Sequence, residues 1–269
     1  MPYLNINDVN LHYAIVGDGP ETIVFSHGLL MSGHMFHAQV AAFGDRYRCV
    51  VYDHRGQGQS EVAASGYDMD TVAADAAELI RRLDCAPCHF VGLSMGGFVG
   101  LRLALRQPRL LRSLTLLDSS AEPEPEKNRP RYRRMALVRR WLGFSLVGDA
   151  VMNILFGNTF LNDPTRDAER EDWKHRLLAN DRAGVTRAAK GVIERQGVAE
   201  QLSSLALPVL ILVGEEDVAT PPEKSRLMAG RIPGAWLEVI PHAGHSSTVE
   251  NPRAVNAALG HFLEELNGG

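Results

Sequence analysis

His89-Phe90-Val91-Gly92-Leu93-Ser94-Met95-Gly96-Gly97-Phe98 is an apolar run that ends on a serine framed by glycines. The run reads as a buried strand, and Gly96–Arg106 beyond it reads as a helix of small and apolar residues able to lie flat on a sheet. Gly92-x-Ser94-x-Gly96 therefore sits at a sharp strand-to-helix turn, the context that separates a nucleophile turn from a chance match. Such a turn strains the backbone of the central serine, and side chains two residues to either side would collide with it. It lifts the hydroxyl above the sheet edge and aims a helix N-terminus, with its partial positive charge, at the reaction centre. A serine hydroxyl is a weak nucleophile at neutral pH and needs a base within hydrogen-bond reach.

Short β-branched and apolar runs on both sides of this segment alternate with helix-length stretches, the pattern of a parallel α/β sheet. An opening hairpin is expected from Tyr3–Ile6 and Asn10–Val16 around Asn7-Asp8. Buried strands are expected at Thr22–Ser26, Cys49–Tyr52, His89–Leu93, Ser113–Leu117, Val209–Val213 and Leu237–Ile240. Helices are expected over Met69–Leu83 and, after Pro252, over Ala254–Leu266. The rhythm breaks between residues 121 and 204. That stretch opens with the acidic turn segment Glu122-Pro123-Glu124-Pro125-Glu126. It continues as a basic helical pattern in which Arg131, Arg133, Arg134, Arg139 and Arg140 punctuate Met135, Ala136, Leu137, Val138, Trp141 and Leu142. The expected organisation is a core of residues 1–120 and 205–269, with 121–204 inserted after the sixth strand as a helical cap.

Two later loops carry titratable residues just past strand ends, where open α/β sheets assemble their sites. Val209–Gly214 runs into Glu215-Glu216-Asp217, and the strand ending at Ile240 runs into Pro241-His242-Ala243-Gly244-His245. His242 and His245 compete as the base, and Asp118, also past a strand end, competes with Asp217 as the acid. Gly214-Glu215-Glu216-Asp217, and Gly244-His245 followed by Glu250-Asn251-Pro252, resemble the acid and histidine loops of the α/β-hydrolase superfamily. In that pattern the histidine directly after the glycine is catalytic. The resemblance thus implies Ser94 as nucleophile, His245 as base and Asp217 as orienting acid, although some members place the acid at the position of Asp118. The acid fixes the histidine tautomer and stabilises the imidazolium without itself taking the proton.

Ser26-His27-Gly28-Leu29-Leu30 resembles the oxyanion loop of the same fold. Its second donor would be the Leu29 N–H, with Leu30 the alternative, and the first would be the N–H of Met95. His27 is expected to be structural. Asp53-His54-Arg55-Gly56-Gln57-Gly58-Gln59-Ser60 resembles the Asp-x-Arg-Gly-x-Gly-x-Ser loop, with Asp53 and Arg55 holding loops near the site. Met31, Met35 and Phe36 are candidates to line an acyl pocket or to pack in the core. Cys85-Ala86-Pro87-Cys88 ends a helix rather than starting one, so redox chemistry is not expected of it.

The resemblance covers nearly the whole chain outside the cap and points to an eight-stranded, mostly parallel sheet flanked by helices. Ser32-Gly33-His34-Met35-Phe36 and the overall length resemble the branch that holds β-ketoadipate enol-lactone hydrolases, small carboxylesterases and cofactor-free haloperoxidases. The implied activity is cleavage of a carboxylic ester or lactone through an acyl-enzyme, with no metal or organic cofactor required. Carbon–carbon bond hydrolysis or perhydrolysis on the same triad are alternatives, and a non-catalytic receptor of the same fold is a remote one. An enol-lactone bearing a carboxylate would need a cationic anchor in the cap.

Composition is that of an ordinary globular chain. The 269 residues are 45% hydrophobic and 22% charged, with a formal net charge of −4. No strong electrostatic footprint for nucleic acid follows from that balance. No membrane partner is expected, since the most apolar stretch, Leu205–Val213, is too short to span a bilayer and is broken by Pro208. Three cysteines and no signal-peptide pattern make a cytoplasmic location the expectation. The oligomeric state is left open.

Overall fold

The computed structural model describes residues 2–142 and 147–268; the side chains of Arg139 and Leu142 in the basic stretch lie outside the described residues. β1 (Tyr3–Ile6) and β2 (Val9–Val16) form the expected hairpin, with Ile6 opposite Val9. Asn7 and Asp8 make its two-residue turn at φ 48° and 63°, a region that short polar side chains tolerate. Next come β3 (Thr22–Ser26), α1 (His37–Phe43), β4 (Arg48–Tyr52) and α2 (Met69–Arg82). The Asp68 carboxylate caps α2 by accepting the Thr71 N–H at 2.9 Å. β5 (Cys88–Leu93), α3 (Met95–Arg106) and β6 (Leu111–Leu117) follow.

The segment between the sixth and seventh strands is helical: α4 (Arg129–Leu142), α5 (Gly148–Leu155), α6 (Asn158–Asn162), α7 (Asp167–Ala179) and α8 (Arg182–Ile193). The chain closes with β7 (Val209–Gly214), α9 (Pro222–Arg231), β8 (Trp236–Ile240), α10 (Ser247–Glu250) and α11 (Pro252–Gly268). Among the described residues no helix is long and apolar enough to cross a membrane.

The eight strands form one sheet in the order β1-β2-β4-β3-β5-β6-β7-β8. β1, β2 and β4 pair antiparallel in turn, and every pairing from β4 through β3 to β8 is parallel. Alternate residues feed two cores, one on each face. Val24 and Phe90 join Val72, Ile80, Val99 and Met228 on one side. Ile23, Phe25 and Val91 join Phe43, Leu259 and Phe262 on the other. Each such side chain contributes about 1.5–3 kcal/mol on burial. Val151, Phe156, Phe160 and Trp173, from the segment between β6 and β7, belong to that second cluster, so this segment shares the core.

One strand departs from expectation. Leu237–Ile240 reads as a buried strand, yet Trp236, Leu237 and Val239 are 37–40% exposed and only Ile240 is buried. β8 is the sheet edge, so its apolar residues lack a neighbouring strand to cover them.

Candidate active site

The parallel strands deliver their carboxyl ends to one rim, and the loops there carry every candidate residue. Ser94 follows β5, Asp118 follows β6, Asp217 follows β7, His245 follows β8, and Leu29 follows β3, the direct neighbour of β5.

At the turn into α3, Ser94 has φ 52° and ψ −109°, a strained conformation for a residue with a side chain. The flanking glycines are needed for space. A Cβ on Gly92 would stand 2.3 Å from the Gly96 carbonyl oxygen, and one on Gly96 would stand 1.9 Å from that of Ser26.

His245 Nε2 lies 2.9 Å from Ser94 Oγ, and His245 Nδ1 lies 2.9 Å from Asp217 Oδ2. All three residues are buried. An ionised Asp217 can only accept, so Nδ1 carries the proton and Nε2 presents its lone pair to the serine hydroxyl. Asp217 is held from its other sides as well: Oδ1 accepts the N–H groups of Ala219 and Thr220, and Oδ2 accepts the Thr220 hydroxyl at 2.8 Å. Burial alone would raise its pKa, but the His245 charge and these hydrogen bonds outweigh burial and lower it. Burial would likewise lower the pKa of His245. The Asp217 charge and hydrogen bond, reinforced by Asp118 and Glu250, prevail and raise it.

The rival residues have other surroundings. His242 is exposed at φ 56°. Asp118 makes no hydrogen bond to His245; its Oδ1 accepts the Gly214 N–H at 2.7 Å and its Oδ2 the Ser247 hydroxyl at 2.5 Å. It therefore braces the acid loop against the histidine loop. Burial and the neighbouring Asp217 charge push its pKa up to about 7.

Behind Ser94, the turn Gly28-Leu29-Leu30-Met31 closes with the Met31 N–H on the Gly28 carbonyl at 3.2 Å, and Leu30 takes φ 71°. The Leu30 N–H is occupied by Gln57 Oε1 at 2.7 Å. Among the described residues, the N–H groups of Leu29 and Met95 have no acceptor. His27 is fully buried, with Nδ1 on the Gly28 carbonyl and Nε2 accepting the His54 N–H. Asp53 accepts the Gly33 and Gln59 N–H groups, and Arg55 makes a two-pronged pair with Asp75. These residues hold the loops, as the sequence suggested.

An apolar cavity of about 160 Å³ opens on Ser94 and His245, lined by Leu29, Met31, Met135, Val151 and Ile154 among others. A cavity of about 150 Å³ takes a benzene-sized guest. Met31 thus lines the cavity, whereas Met35 and Phe36 do not: both are fully buried in the second core cluster, where Phe36 packs against Phe25. Both lie on the short 3-10 turn Gly33–Phe36, whose buried face points into the protein.

Sequence reading missed several supports. Thr220, three residues after Asp217, has the spacing of a side-chain-closed turn and could have been found. Glu250 accepts the Gly157, Gly244 and Ser246 N–H groups at 2.7, 2.9 and 3.0 Å, tying the inserted helices to the histidine loop. Asn180 bridges the Leu30 carbonyl and the Gly58 N–H. Glu124, Tyr132 and Arg195 complete the cavity wall. No local signal marks their roles, because the contacts that define them, such as Glu250 to Gly157 and Asn180 to Leu30 and Gly58, are distant in sequence. Among the described residues, no group of three or more His, Cys, Asp or Glu side chains is placed to hold a metal.

Comparison with known proteins places the fold. A family model described as alpha/beta hydrolase fold matches residues 21–252. A protein of Caulobacter sp. (strain K31), provisionally named a carbamate hydrolase, is 32% identical over 258 residues, 93% of this chain and 95% of the relative. The 3-oxoadipate enol-lactonase 2 of Acinetobacter baylyi is 27% identical over 265 residues, 98% of this chain and 97% of the relative. The solved structure of a thermophilic esterase from Thermogutta terrifontis superposes with a TM-score of 0.90 at 30% identity, covering 98% of each chain.

Proposed function

This chain belongs to the alpha/beta hydrolase family, and on that premise we propose that it cleaves carboxylic esters or lactones through an acyl-enzyme formed on Ser94. His245 takes the serine proton as Oγ attacks the carbonyl carbon. Asp217 keeps the imidazole in the required tautomer and stabilises the imidazolium. The N–H groups of Leu29 and Met95 receive the oxygen that becomes negative, a contribution of about 3–4 kcal/mol per donor in comparable enzymes. His245 then returns its proton to the leaving alcohol, and water deacylates the serine by the same relay. Residues 121–204 act as the cap, with α4, α5 and α8 walling the cavity above the serine.

The observation that carries this reading is the unbroken 2.9 Å and 2.9 Å chain from Ser94 through His245 to Asp217 at the floor of an apolar cavity. The cavity size favours short acyl chains or small rings. Ester cleavage and lactone opening use the same tetrahedral chemistry, and the enol-lactonase relative and the esterase structure described above carry names from that range, while the relative named for carbamates acts by its name on a related acyl group.

The test is hydrolysis of 4-nitrophenyl acetate and of a small lactone by wild type and by Ser94→Ala, with a quenched-flow mass measurement for acylated protein. We expect turnover and an acyl adduct on wild type, and a fall in kcat of roughly 10⁴-fold or more in the variant. Equal rates in the two proteins would remove Ser94 from the reaction.

A further inference from the structure

The cationic anchor that a carboxylate-bearing lactone would need has one candidate among the described residues lining the cavity, Arg195. Its side chain is already engaged. Nη1 donates to Glu124 Oε2 at 3.1 Å and to the Val192 carbonyl at 2.9 Å, and Nε donates to the Glu122 carbonyl at 3.2 Å. The guanidinium carbon stands 4.2 Å from the Phe98 ring centroid. Phe98 lies one helical turn past the nucleophile, its N–H on the Ser94 carbonyl at 3.1 Å, so the ion pair stands close to the reacting end of the cavity.

Glu124 comes from the acidic turn segment at the start of the insertion and also accepts from Asn128 Nδ2 at 3.0 Å. The two side chains of the pair are only 4% and 12% exposed. Glu124 and Arg195 are the only Asp, Glu, Lys or Arg among the described lining residues, and they cancel. Behind the wall the next charges acting on Tyr132 are Arg131 and Asp217, of opposite sign. A substrate carboxylate entering here would leave water, meet Glu124, and find the guanidinium already paired. A neutral carbonyl or hydroxyl meets no such opposition, and the cavity wall includes the phenol of Tyr132, whose pKa burial raises further above neutrality.

We propose that this site selects uncharged substrates and that the Glu124–Arg195 pair is the determinant that rejects carboxylate-bearing ones. The proposal rests on Ser94 acting as the acylating nucleophile.

Two isosteric esters test it: 4-acetoxybenzamide, which is neutral, and 4-acetoxybenzoate, which is anionic, each corrected for spontaneous hydrolysis. Wild type should prefer the amide by roughly tenfold or more in kcat/KM. Glu124→Gln keeps the shape of the side chain and uncovers the Arg195 charge, and should shift the ratio toward the anion by about tenfold. A wild-type ratio near one, or in favour of the anion, overturns the proposal without any variant. An unchanged ratio in a folded Glu124→Gln protein also overturns it, because discrimination would then lie elsewhere. Wild type inert toward both esters would instead bring down the reading of Ser94, and the proposal with it.

Discussion

At the scale of single residues, the proposed role of His245 as base makes its protonation the control on the pH range of activity. The base works only when neutral, and its pKa is raised above the ordinary imidazole value by Asp217, Asp118 and Glu250 against the pull of burial. Activity should therefore fall as pH drops through a value above about 6.5, higher than a free imidazole would give. Asp217→Asn removes the largest stabilising partner of the imidazolium. It should move the acid limb of kcat/KM downward and cut kcat by roughly 10⁴-fold. Rate profiles from pH 5 to 9, with chemistry shown to limit the rate, check both expectations. An acid limb that does not move in Asp217→Asn would take that carboxylate out of the relay.

At the scale of elements, the strand–turn–helix at β5 and α3 is held by close backbone approach. Gly96→Ala would drive a Cβ to 1.9 Å from the Ser26 carbonyl, and backbone on both sides would have to shift. The cost should reach about 3 kcal/mol or more, with loss of hydrolase activity. Gly230, inside α9, is the matched contrast, with no atom within 4 Å of its missing Cβ. Gly230→Ala should stabilise the protein by about 0.4–1 kcal/mol by restricting the unfolded chain. Urea denaturation of the two variants reads both signs. If Gly96→Ala unfolds at the wild-type midpoint, the turn is looser than its contacts require.

At the scale of the whole molecule, the inserted helices and the histidine loop are joined through a buried carboxylate. Glu250 takes N–H groups from Gly157 on one side and from Gly244 and Ser246 on the other, and burial raises its pKa to about 7. A carboxyl whose folded pKa exceeds its unfolded value contributes stability below the unfolded value and loses it as pH rises through the folded one. Wild type should thus lose about 2–3 kcal/mol more between pH 5 and pH 7.5 than Glu250→Gln does, whatever constant penalty the amide introduces. Parallel loss of stability in the two proteins, followed by thermal melting, would mean that Glu250 is ionised throughout. The same scale separates what was legible in the sequence from what was not. Strand periodicity located all eight strands within one to two residues at each end, Gly-x-Ser-x-Gly marked Ser94 as a candidate, and the loops past β6, β7 and β8 offered acids and histidines among which only the family resemblance chose Asp217 and His245. These are local signals: a turn that only glycine permits, or a polar residue directly after an apolar strand. The exposed edge at β8, the core placement of Met35 and Phe36, and the roles of Glu250 and Asn180 were decided by tertiary structure alone. So was the ion pair between Glu124 and Arg195, two residues 71 positions apart. Sequence patterning fixes which face of an element is apolar, but only folding decides which distant partner meets each polar atom and whether an apolar side chain ends in the core or on a cavity wall.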